Sequence, residues 1–519
     1  MIGALKNSRR ALAFGALITA GALAAAAALA MRVGGDEPRF IPSAEKVYTE
    51  GVAGTWQRIN PLFASENQVD ADLSRLIFAG LLRVGPDGQI LPDMAELPQV
   101  SEGGRTYTFR LRDGLEWHDG RPVTSQDVRF TIERITDPDF RGSPALAEAW
   151  ASVEVIVPDL RTVVLRLPQP SASFLARWAT IGIIPSHGFR DISAVAIFDA
   201  PFNAAPIGSG PFRLESLNSQ EARLVANPRY HLGRPGIDVV RLRFFSDYPT
   251  ALRDLQDGTI DGLLIRDDLT AAQIDELRQA SHLAVDSLQR AAFLALYLNN
   301  DQALFDDDRV RRAISLALDR SALVEEQFLG LATPSASPIA PGTWAYNADY
   351  DHTSPNIEEA RRLLAEAGWE THPTTGILVR QGSEFRFTIR TDNNAVRTAL
   401  AAAIAHQLEA IGIKANVAST PFSVLRRDFL EDRRYHAAVI GWDQGADPDP
   451  YDGWHSSQAG PGGVNIANFA DVVADSLIAQ GRTATDPAVR AEAYRQFQEI
   501  WQQQAPSAVI AYPHFIYAH

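Results

Sequence analysis

The chain has 519 residues, 46% hydrophobic and 21% charged, with a formal net charge of -15 and no cysteine. That length implies two or three domains of an ordinary globular chain, and the acidic balance repels nucleic acid and anionic lipid. The missing thiols exclude disulfides, thiolate metal sites, a cysteine nucleophile and a lipid-modified cysteine.

Lys6, Arg9 and Arg10 precede an uncharged Ala/Leu/Gly run from Ala11 to Met31, and Ala28-Leu29-Ala30 offers small residues to a signal peptidase. Residues 1–30 therefore read as a secretory signal, with an uncleaved anchor as the other reading. Ser8 to Ala13 is also a partial match to the twin-arginine export motif. Residues 31–45, with two prolines, read as a linker.

Lys46 to Thr49 is expected as a first strand, followed by a Gly-rich turn at Gly51-Val52-Ala53-Gly54. Asp70 to Leu82 reads as a helix with Leu73, Leu76, Ile77 and Gly80 on one face. Tyr107, Phe109 and Leu111 alternate as a half-buried strand, Asp113-Gly114 and Asp119-Gly120 mark turns, and Asp127 to Arg134 starts a helix. Val153 to Val157 and Val163 to Leu167 form a hairpin-like pair, so residues 83–199 read as an inserted subdomain.

In the second half, Arg309 to Leu318 carries an amphipathic stripe, with Asp306 to Asp308 at its dipole-favoured start. Ser354-Pro355 predicts a cap and first turn for a helix that stops at Gly368. A crossover unit follows: a strand through Phe385, Phe387 and Ile389, a helix from Val396 to Ile411, and a strand through Ile413, Ala415 and Val417. A second helix, Phe422 to Leu430, leads to the apolar strand Ala437 to Ile440. That order predicts an α/β lobe with a mainly parallel sheet, whose ligands bind beyond the carboxyl ends of the strands. The segment from Gly441 to Asp452 lies there.

The chain has no Walker A loop, no Gly-x-Ser-x-Gly elbow and no His-Glu-x-x-His helix, so no catalytic residue, cofactor or metal is assigned and the chain reads as a non-enzyme. Gly208-Ser209-Gly210 reads as a backbone turn and His118 as structural. His455-Ser456-Ser457 lacks nucleophile-and-base spacing. Asp443, Asp447, Asp449 and Asp452 lack the order of an EF-hand loop.

Ordered elements now point to a family. Ile59-Asn60-Pro61-Leu62, Gly80-Leu81-Leu82, Ile90 to Ala95, YTFRLRDGLEWHDGRPVTSQD from Tyr107 to Asp127, and Pro206 to Phe212 resemble its elements in sequence. Asn227-Pro228-Arg229-Tyr230, Asp257 to Asp261, RVRRAISLALDR from Arg309 to Arg320, and Leu363 to Gly368 continue the series. From about Val47 to Tyr517 the chain resembles the family 5 extracellular solute-binding proteins of dipeptide, oligopeptide and nickel ABC importers.

The resemblance implies an α/β, two-lobed periplasmic binding protein (type II-like, cluster C) with an extra subdomain in lobe one. Lobe one would comprise residues 46–82, 200–291 and 506–519 with the insert 83–199, and lobe two residues 292–505. The chain would cross near Ala292 to Leu298 and return near Pro506. It also implies a soluble periplasmic monomer, not a lipoprotein. Such a protein captures a small peptide or peptide-like solute in an interlobe cleft by hinge closure. It would deliver that solute to an inner-membrane permease with its own ATPase, and bind no nucleic acid. The same fold could instead carry a sugar, opine, nickel chelate or haem, or serve as an extracytoplasmic enzyme or chaperone.

In peptide-binding relatives the ligand joins protein backbone by strand addition. By resemblance the partner segments are Glu50 to Gly54 and Gly441 to Gly445, giving Glu50, Gly51, Val52, Gly54, Trp442, Asp443, Gly445, Asp447, Trp454 and Asn465 as ligand-binding residues. Trp442 and Trp454 are the aromatics expected to face the ligand. Gly445 departs from the pattern, because relatives place there an Asp that holds the ligand's amino group. Asp443 and Asp447, two residues to either side, are the substitutes. Arg390 and Arg397 flank a strand end as candidates for a ligand carboxylate, against a reading as surface arginines.

Overall fold

The computed structural model describes residues 45–85, 89–190, 192–266, 271–445 and 447–519. The signal and nearly all of the linker lie outside these residues. The chain divides into two units, one reaching Leu288 and including Ile516–His519, the other Gln289–Phe515.

In the first unit, β1 (Val47–Ala53) is buried without alternation from Thr49 to Val52. It does not turn at Gly51. A Cβ there would stand 2.5 Å from Cδ1 of Ile260, so this glycine serves close packing inside a strand and leaves the chain extended to Ala53. Helix α1 (Gln68–Ile77) starts where the Asn67 side chain accepts from the Val69 and Asp70 amides. It ends before the expected Leu82 because Gly210 donates its N–H to the Ile77 carbonyl at 2.8 Å. A Cβ on Gly208 would stand 1.8 Å from the same oxygen, so these glycines serve backbone approach. His118 closes the joint: its Nδ1 accepts from Gly208 N at 3.2 Å, and its Nε2 lies 3.1 Å from Gly210 O.

β1 runs parallel to β2 (Val239–Phe245) from Val47↔Val239 to Ala53↔Phe245, and parallel to β3 (Gly262–Ile265) at Glu50 and Gly51. Antiparallel strands Glu221–Ala226 and Phe212–Leu217 extend the sheet beyond β2. A second antiparallel sheet orders Gln99–Ser101, Thr106–Arg110, Thr162–Arg166 and Glu154–Asp159. Its Tyr107, Phe109, Val163 and Leu165 join one apolar core with Leu224 and Leu242 of the larger sheet. The inserted segment therefore has its own sheet but no core of its own.

The second unit is built around β4 (Ala292–Leu298), buried along its whole length. Its period of two supplies two cores: Leu294, Leu296 and Leu298 enter one, Phe293, Ala295 and Tyr297 the other. β5 (Arg386–Asp392), α2 (Ala395–Glu409) and β6 (Lys414–Thr420) form the crossover. β5 pairs in parallel with β6 and with β7 (Ala437–Asp443), which is antiparallel to β4. Helices α3 (Val472–Thr483) and α4 (Pro487–Gln504) pack against one another and cover the Phe293 and Tyr297 face.

Helix Asp308–Leu316 is capped by Asp307, within the expected aspartate run. Helix Ile357–Glu366 is capped by Asn356, whose side-chain Oδ1 accepts from Glu359 N, so Ser354 and Pro355 precede the cap. Phe422–Leu425 is one α-turn, followed by a π-turn over Arg426–Leu430.

The last strand, β8 (Ser507–Ala518), moves the expected return point. Ser507 to Ala511 pair with β4, whereas Ile516 to Ala518 pair with β3. The return thus falls at Phe515/Ile516, and the outward crossing at Leu288/Gln289.

Candidate ligand-binding segments

β5 registers against β7 only at Ala437, Ala438 and Val439. β7 continues to Asp443, held on its other side by β4 through Ala292↔Asp443. The stretch from Ile440 to Asp443 therefore runs past the end of the β5 ladder. An extended ligand backbone can add to an edge of that kind.

The turn beyond β7 sorts the acids. Asp443 Oδ1 accepts from Gly445 N at 2.9 Å, and Gly445 has a φ of +68°, the left-handed conformation this tight turn requires. Asp443 is exposed and forms no ion pair among the described residues. Asp447 differs. It is buried and held in a fork by Arg490 of α4, Nη1 to Oδ2 at 2.7 Å and Nη2 to Oδ1 at 2.5 Å. Arg490 also donates Nε to Gly481 O at 2.9 Å. Asp447 is thus engaged inside the unit and does not present a carboxylate to an ammonium group. Asp449 and Asp452 lie 3.5 and 3.8 Å from Nη1 of Arg482, whose guanidinium covers the Tyr451 ring at 3.9 Å. Burial pushes the Asp449 carboxyl up from its ordinary value, and Arg482 opposes that.

Trp442 is half-buried, its indole lying against Gly453. Trp454 is 1% exposed. Its ring stacks with Tyr297 at 5.8 Å and Phe293 at 6.4 Å and meets Trp501 edge-on at 5.4 Å. The expected ligand-facing role does not fit that position, because the ring is buried among core aromatics. Asn465 is fully buried, with Nδ2 donating to His455 O and Phe469 O and Oδ1 accepting from Phe469 N. It fastens the loop from inside.

In the first unit, Glu50 and Gly51 sit between β2 and β3, so neither backbone has the free edge that strand addition needs. Val52 is in the core, and Gly54 donates its N–H to Phe245 O at 2.8 Å. The Glu50 carboxyl is 4% exposed, with Oε2 at 3.0 Å from the Tyr48 hydroxyl and 3.2 Å from the Tyr517 hydroxyl. Burial pushes it up to about 7, against the lowering effect of the two hydroxyls.

Arg397 is engaged by Asp392, Nε to Oδ1 at 2.8 Å and Nη2 to Oδ2 at 2.6 Å. The Arg390 guanidinium lies over the Phe429 ring at 3.5 Å. Among the described residues no group of three or more His, Cys, Asp or Glu side chains could hold a metal, and no helix is long and apolar enough to cross a membrane.

Sequence reasoning missed Arg490 and Arg482. Four aspartates within ten residues, with no base among them, were the available signal that cations must arrive from elsewhere in the chain.

Residues 89–463 match the family described as bacterial extracellular solute-binding proteins, family 5 Middle. The chain belongs to the family 5 extracellular solute-binding proteins. It is 28% identical over 473 residues to the oligopeptide-binding protein AppA of Bacillus subtilis, covering 89% of this chain and 85% of that one. It is also 28% identical over 444 residues to heme-binding protein A of Haemophilus influenzae, covering 82% and 79%. The solved structure of Bacillus subtilis AppA with a nonapeptide superimposes with a TM-score of 0.68 at 26% identity, covering 91% of this chain and 94% of that one. This family 5 member therefore shares the two-lobed α/β fold of its relatives, in a family of transport-associated binding proteins.

Proposed function

We propose that this family 5 protein is the soluble, monomeric, periplasmic binding component of an ABC importer. It captures a peptide or peptide-like solute and hands it to an inner-membrane permease. The observation that carries the ligand class is the β7 edge from Ile440 to Asp443, which extends past the β5 register and ends on an exposed carboxylate with no ion pair among the described residues. Strand addition there fixes an extended backbone irrespective of side chains, and Asp443 supplies the charge-assisted partner for an ammonium group. The AppA relatives, oligopeptide-binding by name, support this reading.

The departure at Gly445, together with the heme-binding relative, favours a second reading in which the same transport role serves a solute without a free amino terminus. Mass spectrometry of the material retained by protein purified from its native envelope separates the two. Amide-linked compounds support the first, and their absence sinks it. With the retained cationic ligand, Asp443→Asn is expected to weaken affinity by about tenfold or more, the scale of one charge-assisted hydrogen bond. Asp447→Asn should act through stability, because its partner is Arg490. Unchanged affinity in Asp443→Asn removes that residue from the site.

A further inference from the structure

In the first unit, three oxygens stand in mutual contact: Tyr48 Oη, Tyr517 Oη and Glu50 Oε2. The two hydroxyls are 3.0 and 3.2 Å from the carboxyl oxygen and in hydrogen-bond contact with each other. Three O···O hydrogen bonds need three protons. The two tyrosines supply two. A carboxylate supplies none, so one contact would be left without a bridging proton. A carboxylic acid supplies the third and lets all three close as a ring.

The surroundings favour the acid. Among the described residues Glu50 forms no ion pair. The Asp72 carboxylate facing it raises its affinity for a proton, and Asp72 itself takes up the nearby cations: Arg266 at 3.0 Å, Arg75 at 3.4 Å, with Gln68 Nε2 at 2.9 Å. Asp261 accepts from Thr49 N at 2.7 Å, and His519 stacks on Tyr517 at 5.2 Å while lying 3.2 Å from Asp286. The Leu264 amide donates to the Glu50 carboxyl, opposing protonation, but burial is the larger effect. The ring also has a built seat. A Cβ on Gly262 would stand 2.1 Å from Tyr48 Oη, 2.7 Å from Tyr517 Oη and 2.8 Å from Glu50 Oε2.

We propose that Glu50 is a proton-binding site whose proton closes this hydroxyl ring and so latches the terminal segment, through Tyr517, onto β1. Tyr517 lies two residues past Phe515, so the latch fastens the strand that returns the chain to the first unit. Loss of the proton opens the ring and leaves a buried anion beside it. The sign follows from the raised carboxyl: the latch is complete in mild acid and is lost as pH rises through about 7.

The test is amide hydrogen exchange in the β3–β8 ladder, at residues 263–265 and 516–518, in the processed protein from about pH 5.5 to 8.5, as protection factors corrected for intrinsic exchange. Wild-type protection is expected to fall about tenfold or more across neutral pH, one pH unit of linkage being a factor of ten. Glu50→Gln carries its proton at every pH and should show no fall across neutral pH. Tyr517→Phe removes one oxygen, leaves Glu50 only its Tyr48 contact, and should shift the midpoint. A flat wild-type profile, or one that survives in Glu50→Gln, overturns the proposal. If Glu50→Gln does not fold, infrared difference spectra decide: a protonated-carboxyl band must vanish on passing neutral pH, with a shifted midpoint in Tyr517→Phe. No such band, or an unmoved midpoint, also overturns it.

Discussion

Arg320 closes the RVRRAISLALDR segment and is 1% exposed. Its Nε donates to Val509 O at 2.7 Å, Nη1 to Ser315 O at 3.1 Å and Nη2 to Ser315 Oγ at 2.9 Å. No carboxylate accepts from it among these bonds, and burial lowers the guanidinium to about 10, opposed by Asp351. A planar fork that reaches acceptors on two elements is something a lysine cannot copy. Arg320→Ala is expected to cost about 3 kcal/mol, because carbonyls buried around it lose their donors, and Arg320→Lys should recover only part of that. Urea midpoints check both. If Arg320→Lys matches the wild type, the fork geometry is not what matters. The sequence shows which arginine this is but not what it holds, since Val509 lies 189 residues away. The same limit governed the aspartates after β7. Asp443 and Asp447 look equivalent in the sequence, and only the position of Arg490, 43 residues on, separates the engaged one from the exposed one.

Elements were legible where their signals are local. The stripes of Asp308–Leu316 and Ala395–Glu409 and the alternation of Arg386–Asp392 emerge within a turn or two of where the pattern puts them. Misplacements arose where a residue type has two physical uses. Ser354 and Asn356 are both good caps, and the helix began at the second. Glycine serves turns and close approach alike, so Gly51 read as a turn although it is a strand position packed by Ile260. Gly208 is the sharper case. Its Cβ position overlaps the Ile77 carbonyl oxygen, a backbone atom that cannot rotate away. Gly208→Ala is expected to cost about 3 kcal/mol by forcing the α1 end and the Gly208–Gly210 loop apart. Thermal melts should show it, whereas Gly233→Ala, with open space around it but a φ of +99°, should cost less, about 1 kcal/mol. Equal losses at the two positions would mean that conformational strain, not overlap, sets the cost.

At the scale of the whole molecule, family and fold class were legible because many short elements recur in order over most of the chain. The return point was not, because β8 is one uninterrupted strand whose two ends pair in different units. The first unit also holds two titrating groups of opposite sign. His118 is lowered to about 4 by burial, so the stability it contributes is complete above its ordinary value of 6.5 and is lost as pH falls toward 4. Glu50 is raised to about 7, so its contribution is complete below its ordinary 4.5 and is lost as pH rises through 7. Between roughly pH 4.5 and 6.5 the two slopes, each on the order of 1 kcal/mol per pH unit, oppose one another. The unfolding free energy of the first unit should therefore be nearly level there for these two groups. Each single variant should uncover the other slope. Glu50→Gln leaves His118, and stability should rise with pH across that window; His118→Gln leaves Glu50, and stability should fall. Denaturant titrations of both variants at several pH values read the slopes directly, independent of any constant loss that either substitution brings. Two variants tilting the same way would show that other groups dominate the acid response of this unit.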